Sequence, residues 1–367
     1  MQLRILIFFF SLFLIVGSAE AQNKKRSRQM RKKSTKMANF KGSVQTFANK
    51  RYLTLGLSVN SLNYFGDLAP KSNWGSTDIT FTRPGISVFT DYKLTPRIWV
   101  RGELLFGVLR GSDFESADPN DQDAKFRYIR NQHFRNRIQE LSVVGYIELF
   151  ENQGTFLTRY LWNPYFFLGV GIMHHNPQAL VPEQDFVNPG GGAPLNAGEW
   201  IDLRPLGTEG QYVDGLDVEP YSLWQVTVPF GIGMNYKLST NLDIGVEVGF
   251  RYLFTDYIDD VSGDYINPWL FDESNLSPEE ADLARVMANR TMETVDAVSG
   301  EERSPELIVP TVTRTSPDGV TYNLVNGFGY EGKDQMRGGK ADNDIFMVFS
   351  VKVKYLLAGS FRNARFR

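Results

Sequence analysis

The sequence predicts an all-β protein, an eight-stranded antiparallel transmembrane β-barrel of outer-membrane type with long extracellular loops and one short loop helix. Three observations predict this fold. Segments of the chain alternate between apolar and polar side chains, because successive residues of a strand point to opposite faces. Eight such segments occur, each about as long as a tilted strand that crosses a bilayer. Short turns and long loops alternate between them, which is typical of an outer-membrane barrel with both ends in the periplasm.

Residues 1–21 have the organisation of a secretory signal peptide. Arg4 supplies the positive charge, residues 5–16 form the apolar core, and Ala19 and Ala21 define a small-x-small cleavage site. The apolar run is shorter than the roughly 20 residues that a membrane-spanning helix needs. We therefore expect export with cleavage of this segment, and a final location in the cell outer membrane.

Residues 22–50 form a basic tail with no acidic residue. Its first cations are Lys24, Lys25, Arg26, Arg28, Arg31, Lys32 and Lys33. The composition fits two interpretations. One is a disordered, solvated periplasmic segment. The other is an electrostatic contact with anionic lipid or with an acidic partner.

The barrel is expected between residues 51 and 356. Its eight strands are expected at residues 51–67, 85–94, 97–109, 137–150, 165–173, 223–238, 241–252 and 344–355. Long loops are expected at about 65–83, 110–135, 176–221 and 255–342, and a C-terminal tail at 357–367. In the last loop, Ser277 is followed directly by Pro278 and three residues on by Glu280, which predicts a capped helix from 278 to about 289.

The apolar face of the strands carries almost no charge, and aromatic side chains lie near its edges. These edge aromatics are Tyr52, Tyr92, Trp224, Tyr236, Tyr252 and Tyr355. Alternation alone does not say which face is inside, and a soluble lipocalin-like barrel would turn its charged face to water. An uncharged face with aromatic edges favours the membrane barrel, with apolar side chains toward lipid.

The opposite face is expected to fill a polar lumen with charges of both signs. These residues are Asp91, Lys93, Arg101, Glu103, Glu140, Glu148, Asp243, Glu247, Arg251, Lys352 and Lys354. The interior of an eight-stranded barrel is only wide enough for side chains. Because an unpaired buried charge is strongly destabilising, we expect these charges to pair across the lumen and block a channel.

Candidate catalytic residues are few. The three histidines are His133, His174 and His175, and the adjacent pair would point to opposite faces of a strand, which suits no metal site. A hydrolase would need one of them beside a serine at the rim, and the sequence has no Gly-x-Ser-x-Gly motif. We therefore expect a protein that is not an enzyme and has no cofactor.

An acidic run follows the seventh strand, with Asp256, Asp259, Asp260 and Asp264. It lacks the regular spacing of a calcium-binding loop, so aspartates that cap turns are the favoured interpretation. The net charge of −3 gives no indication of a nucleic-acid partner. The absence of cysteine excludes disulfide bonds and a lipid-modified N-terminal cysteine.

Six segments together resemble a known family. They are YFGDL at 64–68, PYFFLGVG at 164–171, HNPQA at 175–179, PLGTEGQ at 205–211, PFGIG at 229–233 and FTDYIDDVS at 254–262. In this order they resemble the Bacteroidota outer-membrane barrel family of PorG, over about residues 51–265 and the last strand. The basic tail and the extended loop after Asp264 depart from the family's pattern.

The resemblance implies a non-enzymatic barrel of the type 9 secretion system, the export machine linked to gliding motility. It implies the periplasmic ring of PorK and PorN as a partner, beside the outer-membrane lipid that the apolar face of the strands is expected to contact. The loop residues expected to organise the outer face are Pro205, Leu206, Gly207, Thr208, Glu209, Gly210 and Gln211, with Thr255, Asp256, Tyr257, Asp259 and Asp260. The expected function is an anchor or scaffold for that ring; the alternative is a small pore or a lipid-modifying barrel enzyme outside the system.

Overall fold

The computed structural model describes residues 50–68, 81–118, 120, 124–188, 192–304, 311–328, 335–339 and 343–357. The expected signal peptide, the basic tail up to residue 49 and the C-terminal tail from residue 358 lie outside the described residues. The chain divides into a unit that ends at Arg51 and a unit that begins at Tyr52. The second unit contains the strands.

Twelve strands occur in the described chain. In order they are β1 (Leu53–Phe65), β2 (Arg83–Lys93), β3 (Ile98–Ser112), β4 (His133–Glu148), β5 (Trp162–His174), β6 (Pro177–Leu180), β7 (Trp200–Asp202), β8 (Trp224–Lys237), β9 (Leu242–Leu253), β10 (Thr311–Thr315), β11 (Thr321–Val325) and β12 (Ile345–Leu357).

Eight of these strands close into a barrel. Each pairs antiparallel with its neighbours in the order β1, β2, β3, β4, β5, β8, β9, β12, and β12 pairs back onto β1. The predicted eight-stranded antiparallel barrel is therefore confirmed. Short turns join the strands at one end and long loops at the other, which we call the periplasmic and extracellular ends.

The outer face of the barrel is apolar and exposed. Leu57, Val143 and Leu168 are 63%, 55% and 56% exposed, whereas the residues between them on each strand point inward and are mostly buried. A continuous apolar surface of this size is stable only in a nonpolar environment, so the barrel crosses a membrane. No helix in the described part of the chain is long and apolar enough to span one.

One edge aromatic lies on the other face. Tyr52 is buried inside the barrel, where its ring meets that of Trp99 with centroids 5.2 Å apart. Its position is explained by the alternation itself, because residue 52 falls in step with the inward residues Thr54 and Ser58. The other edge aromatics, such as Trp224 and Tyr355, point outward.

Several inward positions are glycine because aromatic rings occupy the space beside them. A Cβ atom on Gly56 would lie 2.2 Å from the ring of Phe89 on the neighbouring strand. One on Gly233 would lie 2.3 Å from the ring of Tyr165. The small residues of the polar face thus allow large side chains to fill the lumen.

The extracellular loops contain more β-structure than the sequence predicted. β3 and β4 remain paired as far as Ser112 and His133, so their loop is shorter than the expected 110–135. β6 and β7 extend the sheet beyond β4 within the expected loop 176–221, and β10 and β11 form a hairpin within 255–342.

Three short α-helices lie in the described parts of these loops: α1 (Asp113–Ser116), α2 (Lys125–Arg130) and α3 (Pro278–Ala288). α3 is the predicted helix, and Ser277 and Glu280 form the predicted capping box. α1 and α2 were not predicted, because four and six residues are too few to show a helical repeat.

An arginine on the outer face tests the membrane orientation. We expect Leu168→Arg, at the middle of β5, to lower the free energy of unfolding by about 2–4 kcal/mol because it places a cation in hydrocarbon. Trp162→Arg, at the start of the same strand, should cost no more than about 1 kcal/mol. Urea unfolding in lipid bilayers measures both. Equal losses for the two variants would contradict the orientation.

Candidate functional site

Arg101 is the centre of the charge network in the lumen. Its Nε lies 2.8 Å from Asp91 Oδ1, and its Nη1 lies 2.7 Å from Glu247 Oε2. The Tyr165 hydroxyl donates a hydrogen bond of 2.6 Å to the same Glu247 oxygen, and the Tyr146 hydroxyl donates one of 3.2 Å to Asp91. These residues come from five different strands, so the network crosses the lumen.

Two lysines of β12 complete the centre of the network. Lys352 Nζ lies 2.8 Å from Glu247 Oε1 and 3.2 Å from Glu103 Oε2, and Lys354 Nζ lies 2.9 Å from Asp91 Oδ2. Both lysines point inward from the same face of one strand. Each carboxylate of the centre therefore has at least one cation within ion-pair distance.

Nearer the extracellular end, Arg251 Nε lies 3.0 Å from Glu140 Oε2. The Thr227 hydroxyl donates a hydrogen bond of 2.6 Å to the other Glu140 oxygen. All three residues are buried. Glu140, Thr227 and Arg251 lie on β4, β8 and β9. Their contacts therefore connect β4 to two strands that are not its neighbours in the sheet.

At the periplasmic end, two of the predicted lumen residues form hydrogen bonds with the turn between β4 and β5. Lys93 Nζ donates a hydrogen bond of 3.1 Å to the Asn152 carbonyl oxygen. Asp243, expected in the lumen network, instead accepts hydrogen bonds of 2.8 to 3.1 Å from Arg159 of that turn. Asp243 is the second residue of β9 and lies too near the barrel's end to reach the central cations. Arg159 also donates to the carbonyl oxygen of Ser239, so it links the turn between β4 and β5 to the turn between β8 and β9.

The network fills the lumen. The side chains of Arg101 and Lys352 have essentially no solvent-accessible surface, although both lie on the inward face of membrane-crossing strands. A water-filled channel would leave inward side chains accessible to water. The barrel is therefore occluded at the level of Arg101, Glu247 and Lys352.

The extracellular end is closed by a second buried cluster, which we call the loop cap; it comprises residues 204–211, 254–263 and 335–339. Arg337 Nη1 lies 3.0 Å from Glu209 Oε1, and the same guanidinium lies 3.6 Å from Asp260. Glu209 accepts backbone hydrogen bonds of 2.9 Å from Ser262 and Gly263. Three loop segments thus meet at one arginine.

The two family-like loop motifs contact each other directly in the loop cap. The Thr208 hydroxyl donates a hydrogen bond of 2.5 Å to Asp260, and the Tyr257 hydroxyl donates one of 3.1 Å to Glu209. Tyr221 donates a third, of 2.7 Å, to Asp260. The segments 205–211 and 254–262 therefore form one structural unit above the lumen.

Arg130, at the end of α2, connects this cap to the remaining loops. Its guanidinium forms two hydrogen bonds with Asp113, of 2.7 and 2.8 Å, and further bonds of 2.7 Å with the carbonyl oxygens of Arg337 and Asp67. The Asp67 carboxylate in turn accepts a hydrogen bond of 2.7 Å from the Gly339 amide. Parts of all the long loops are thereby held in one arrangement.

A group of carboxylates lies between the cap and the barrel. The Tyr64 hydroxyl oxygen lies 2.5 Å from Asp344 and 2.9 Å from Asp259, which places the two carboxyl groups side by side around one hydroxyl proton. Burial and the neighbouring acids raise the pKa of Asp344 to about 7 and that of Asp256 to about 9, and burial holds the pKa of Asp259 well above its usual range. At neutral pH this group holds protons that isolated aspartates would release.

The loop cap is therefore expected to loosen as pH rises. These carboxyl groups have folded-state pKa values above those of the unfolded chain, so their stabilisation is present at acid pH and is lost as pH rises through about 7 to 9. The groups facing them are Tyr64, Asp67 and, across the cap, Glu209 and Arg337.

Hydrogen-exchange protection factors for residues 254–263 between pH 5 and pH 9 measure this loosening. We expect protection to fall with rising pH in the wild type and to change less in Asp256→Asn, whose side chain cannot ionise. A constant protection factor in the wild type would contradict the prediction. The barrel strands are the internal control, because their protection factors should not fall with rising pH as those of the loop cap do.

The histidines have structural contacts. The His174 ring points outward and meets Trp224 with centroids 5.0 Å apart, whereas His175 is buried and bonded to the Ser222 carbonyl oxygen, so the pair points to opposite faces as predicted. Burial lowers the pKa of His175 to about 4. His133 accepts a hydrogen bond from the Leu180 amide. In the part of the chain that the structure describes, no group of three or more metal-ligating side chains is arranged to hold a metal ion.

No family model and no curated protein sequence matches the chain. Among solved structures it is similar to Ail, the attachment invasion locus protein of Yersinia pestis, at 7% identity, covering 84% of this chain and 97% of Ail with a TM-score of 0.28. It is similar to Neisserial surface protein A at 7% identity, covering 83% and 96% of the two chains with a TM-score of 0.30. A major outer membrane protein from Thermus thermophilus is 9% identical, with 83% and 99% covered and a TM-score of 0.32.

Proposed function

We propose that this chain is a structural outer-membrane barrel that anchors a protein assembly and neither conducts solutes nor catalyses a reaction. The observation that carries the proposal is the occluded lumen, in which Arg101, Glu247 and Lys352 pair across the barrel without accessible surface. The bonded loop cap supports it, since the cap closes the extracellular end over the same lumen.

The assembly we propose is the type 9 secretion system, with the periplasmic ring of PorK and PorN as the partner. The support is the resemblance of six sequence segments to the PorG family. Two of those segments, 205–211 and 254–262, contact each other in the loop cap. Under this proposal the basic tail, residues 22–50, binds the ring from the periplasmic side.

Conductance separates the scaffold from the pore. In planar bilayers the wild-type barrel is expected to show no steady open channel, because paired side chains fill its lumen. A steady conductance of the wild type would overturn the proposal in favour of a pore. A variant with Arg101, Lys352 and Glu247 all replaced by alanine is the matched comparison, since it enlarges the same part of the lumen.

Genetics and co-purification test the assembly. Deleting the gene should stop export of type 9 cargo, and wild-type chain should co-purify with PorK and PorN. Removing residues 23–50 should weaken that co-purification, whereas removing residues 358–367 is the matched control. Normal cargo export in the deletion strain would refute the secretion role and leave the occluded barrel itself unaffected.

A further inference from the structure

Three arginines form a cationic surface on the outside of β3 and β4, beyond the extracellular edge of the apolar band. They are Arg110, Arg135 and Arg137. Arg110 and Arg135 are directly opposite each other across the two strands, and Arg137 lies two residues along β4 on the same face. Like charges directly opposite each other destabilise a sheet. A bound anion at this surface would remove that repulsion.

The surface lies at the depth of lipid headgroups. On the outer face of β4, Arg137 is followed by Gln139 and then by Leu141, which faces lipid. Gln139 pairs with His174, whose ring contacts Trp224, and such aromatic pairs mark the membrane interface. Arg137 is the next outward residue beyond this belt, about 7 Å along the strand.

Two of the arginines are held in place by neighbours. Arg110 forms an ion pair with Glu115 of α1. Arg135 donates a hydrogen bond of 3.0 Å from Nε to Gln178 of β6, and its guanidinium lies 4.1 Å from the ring centroid of Trp200. Stacking on Trp200 and one hydrogen bond to a neutral amide orient the Arg135 guanidinium group. Among the described residues, no carboxylate forms an ion pair with it.

Arg137 is exposed and forms no side-chain hydrogen bond or ion pair with the described part of the chain. Across from it on β3 lies Val108, which offers no counter-charge. The nearby carboxylate of Asp202 accepts a hydrogen bond of 2.6 Å from Gln178. Within the described ranges, Glu115 is therefore the one acid directly paired with these three arginines, and the guanidinium of Arg83 on β2 adds a fourth positive charge near Arg110 and Glu115.

Among the described strand ends, the outward-facing arginines of the extracellular side lie on β3 and β4, and Arg83 of the neighbouring β2 lies near enough to interact with Arg110 and Glu115. At the extracellular ends of other strands, the outward residues are Pro84 on β2, Trp224 on β8, Tyr252 on β9 and Ile345 on β12. A general interfacial belt would repeat basic residues around the barrel. The concentration on β3 and β4 indicates a local binding surface.

We propose that Arg110, Arg135 and Arg137 bind the phosphate groups of anionic lipid in the outer leaflet, with Arg137 as the main contact. The planar guanidinium presents parallel N–H donors that match two oxygens of a phosphate. The position just beyond the lipid-facing residues favours a headgroup over a soluble anion, because the acyl chains of that lipid would lie against Leu141 and its neighbours.

Native mass spectrometry of the full chain released from nanodiscs tests the proposal. The nanodiscs contain phosphatidylcholine with a minor fraction of phosphatidic acid, whose headgroup is a phosphomonoester. We expect the wild type to retain phosphatidic acid in preference to phosphatidylcholine. In Arg137→Ala this preference should fall about tenfold, because the variant loses one group that forms charge-assisted hydrogen bonds with the phosphate. Arg137→Lys should lose less of this preference, because lysine keeps the positive charge but lacks the two parallel N–H donors of the guanidinium group.

Arg97→Ala is the matched control, since Arg97 is an exposed arginine at the periplasmic end, and it should retain the wild-type preference. Equal retention by wild type, Arg137→Ala and Arg97→Ala would overturn the proposal. A second arm titrates inorganic phosphate and a soluble sulfated glycan onto the chain in detergent. Binding of either one with the same dependence on Arg137, together with no lipid preference, would replace the lipid with a soluble anion.

Discussion

Replacing Arg101 with methionine is expected to lower the free energy of unfolding by about 3–5 kcal/mol, the cost of removing one partner from a buried ionic network. Arg101 pairs with both Asp91 and Glu247, and all three side chains are buried. Lys352 and Lys354 still face these acids in the variant, but they cannot neutralise the additional negative charge. Urea unfolding in lipid bilayers, followed by tryptophan fluorescence, gives the free energy.

Two further variants make this prediction specific to the network. Arg101→Met combined with Glu247→Gln removes one charge of each sign and should recover much of the loss. Arg97→Met, at an exposed ion pair with Glu151, should change the free energy by no more than about 1 kcal/mol. If Arg101→Met unfolds at the same urea concentration as the wild type, the lumen charges do not stabilise the barrel.

The barrel could be predicted from the sequence because its physical cause is local and repeated. Each strand alternates with a period of two, so Leu168 outside and Arg101 inside follow from their positions along the chain. The turns and loops then give the order of the strands. Tyr52 was placed on the wrong face only because its aromatic character was given more weight than its position in the alternation.

The partners within the site could not be predicted in the same way. Which acid meets Arg101 depends on the register and the tilt of eight strands, which no single segment encodes. Arg159 was missed because it belongs to a turn, where no periodicity shows that a side chain points inward.

The loop cap was the hardest part to predict. Arg130 and Arg337 lie in segments without a repeating pattern, and their contacts join loops that are far apart along the chain. The sequence did single out 205–211 and 254–262, through a family resemblance. It gave no sign that Thr208 and Asp260 bond directly.

Replacing Arg337 with methionine is expected to open the loop cap while leaving the barrel folded. Arg337 is the shared cation of Glu209 and Asp260, and its guanidinium also donates to the carbonyl oxygens of Asp260 and Ala288. Without it, two buried acids repel each other beside the carboxyl groups of Asp259 and Asp344. The cost, about 3–5 kcal/mol, should appear as local opening because the strands are held by their own pairing and by the separate lumen network around Arg101.

Hydrogen exchange distinguishes this local effect from a loss of the whole fold. In Arg337→Met, residues 204–211 and 254–263 should exchange on the order of a hundredfold faster or more, whereas β1 and β12 should keep wild-type protection. Arg204→Met is the matched control, because Arg204 donates to the Tyr221 carbonyl oxygen and pairs with no acid in the described part of the cap. Adding Glu209→Gln to Arg337→Met should restore part of the protection by removing one of the two repelling charges. Unchanged exchange in the two cap segments of Arg337→Met would show that the loops are held by packing and not by this ionic centre.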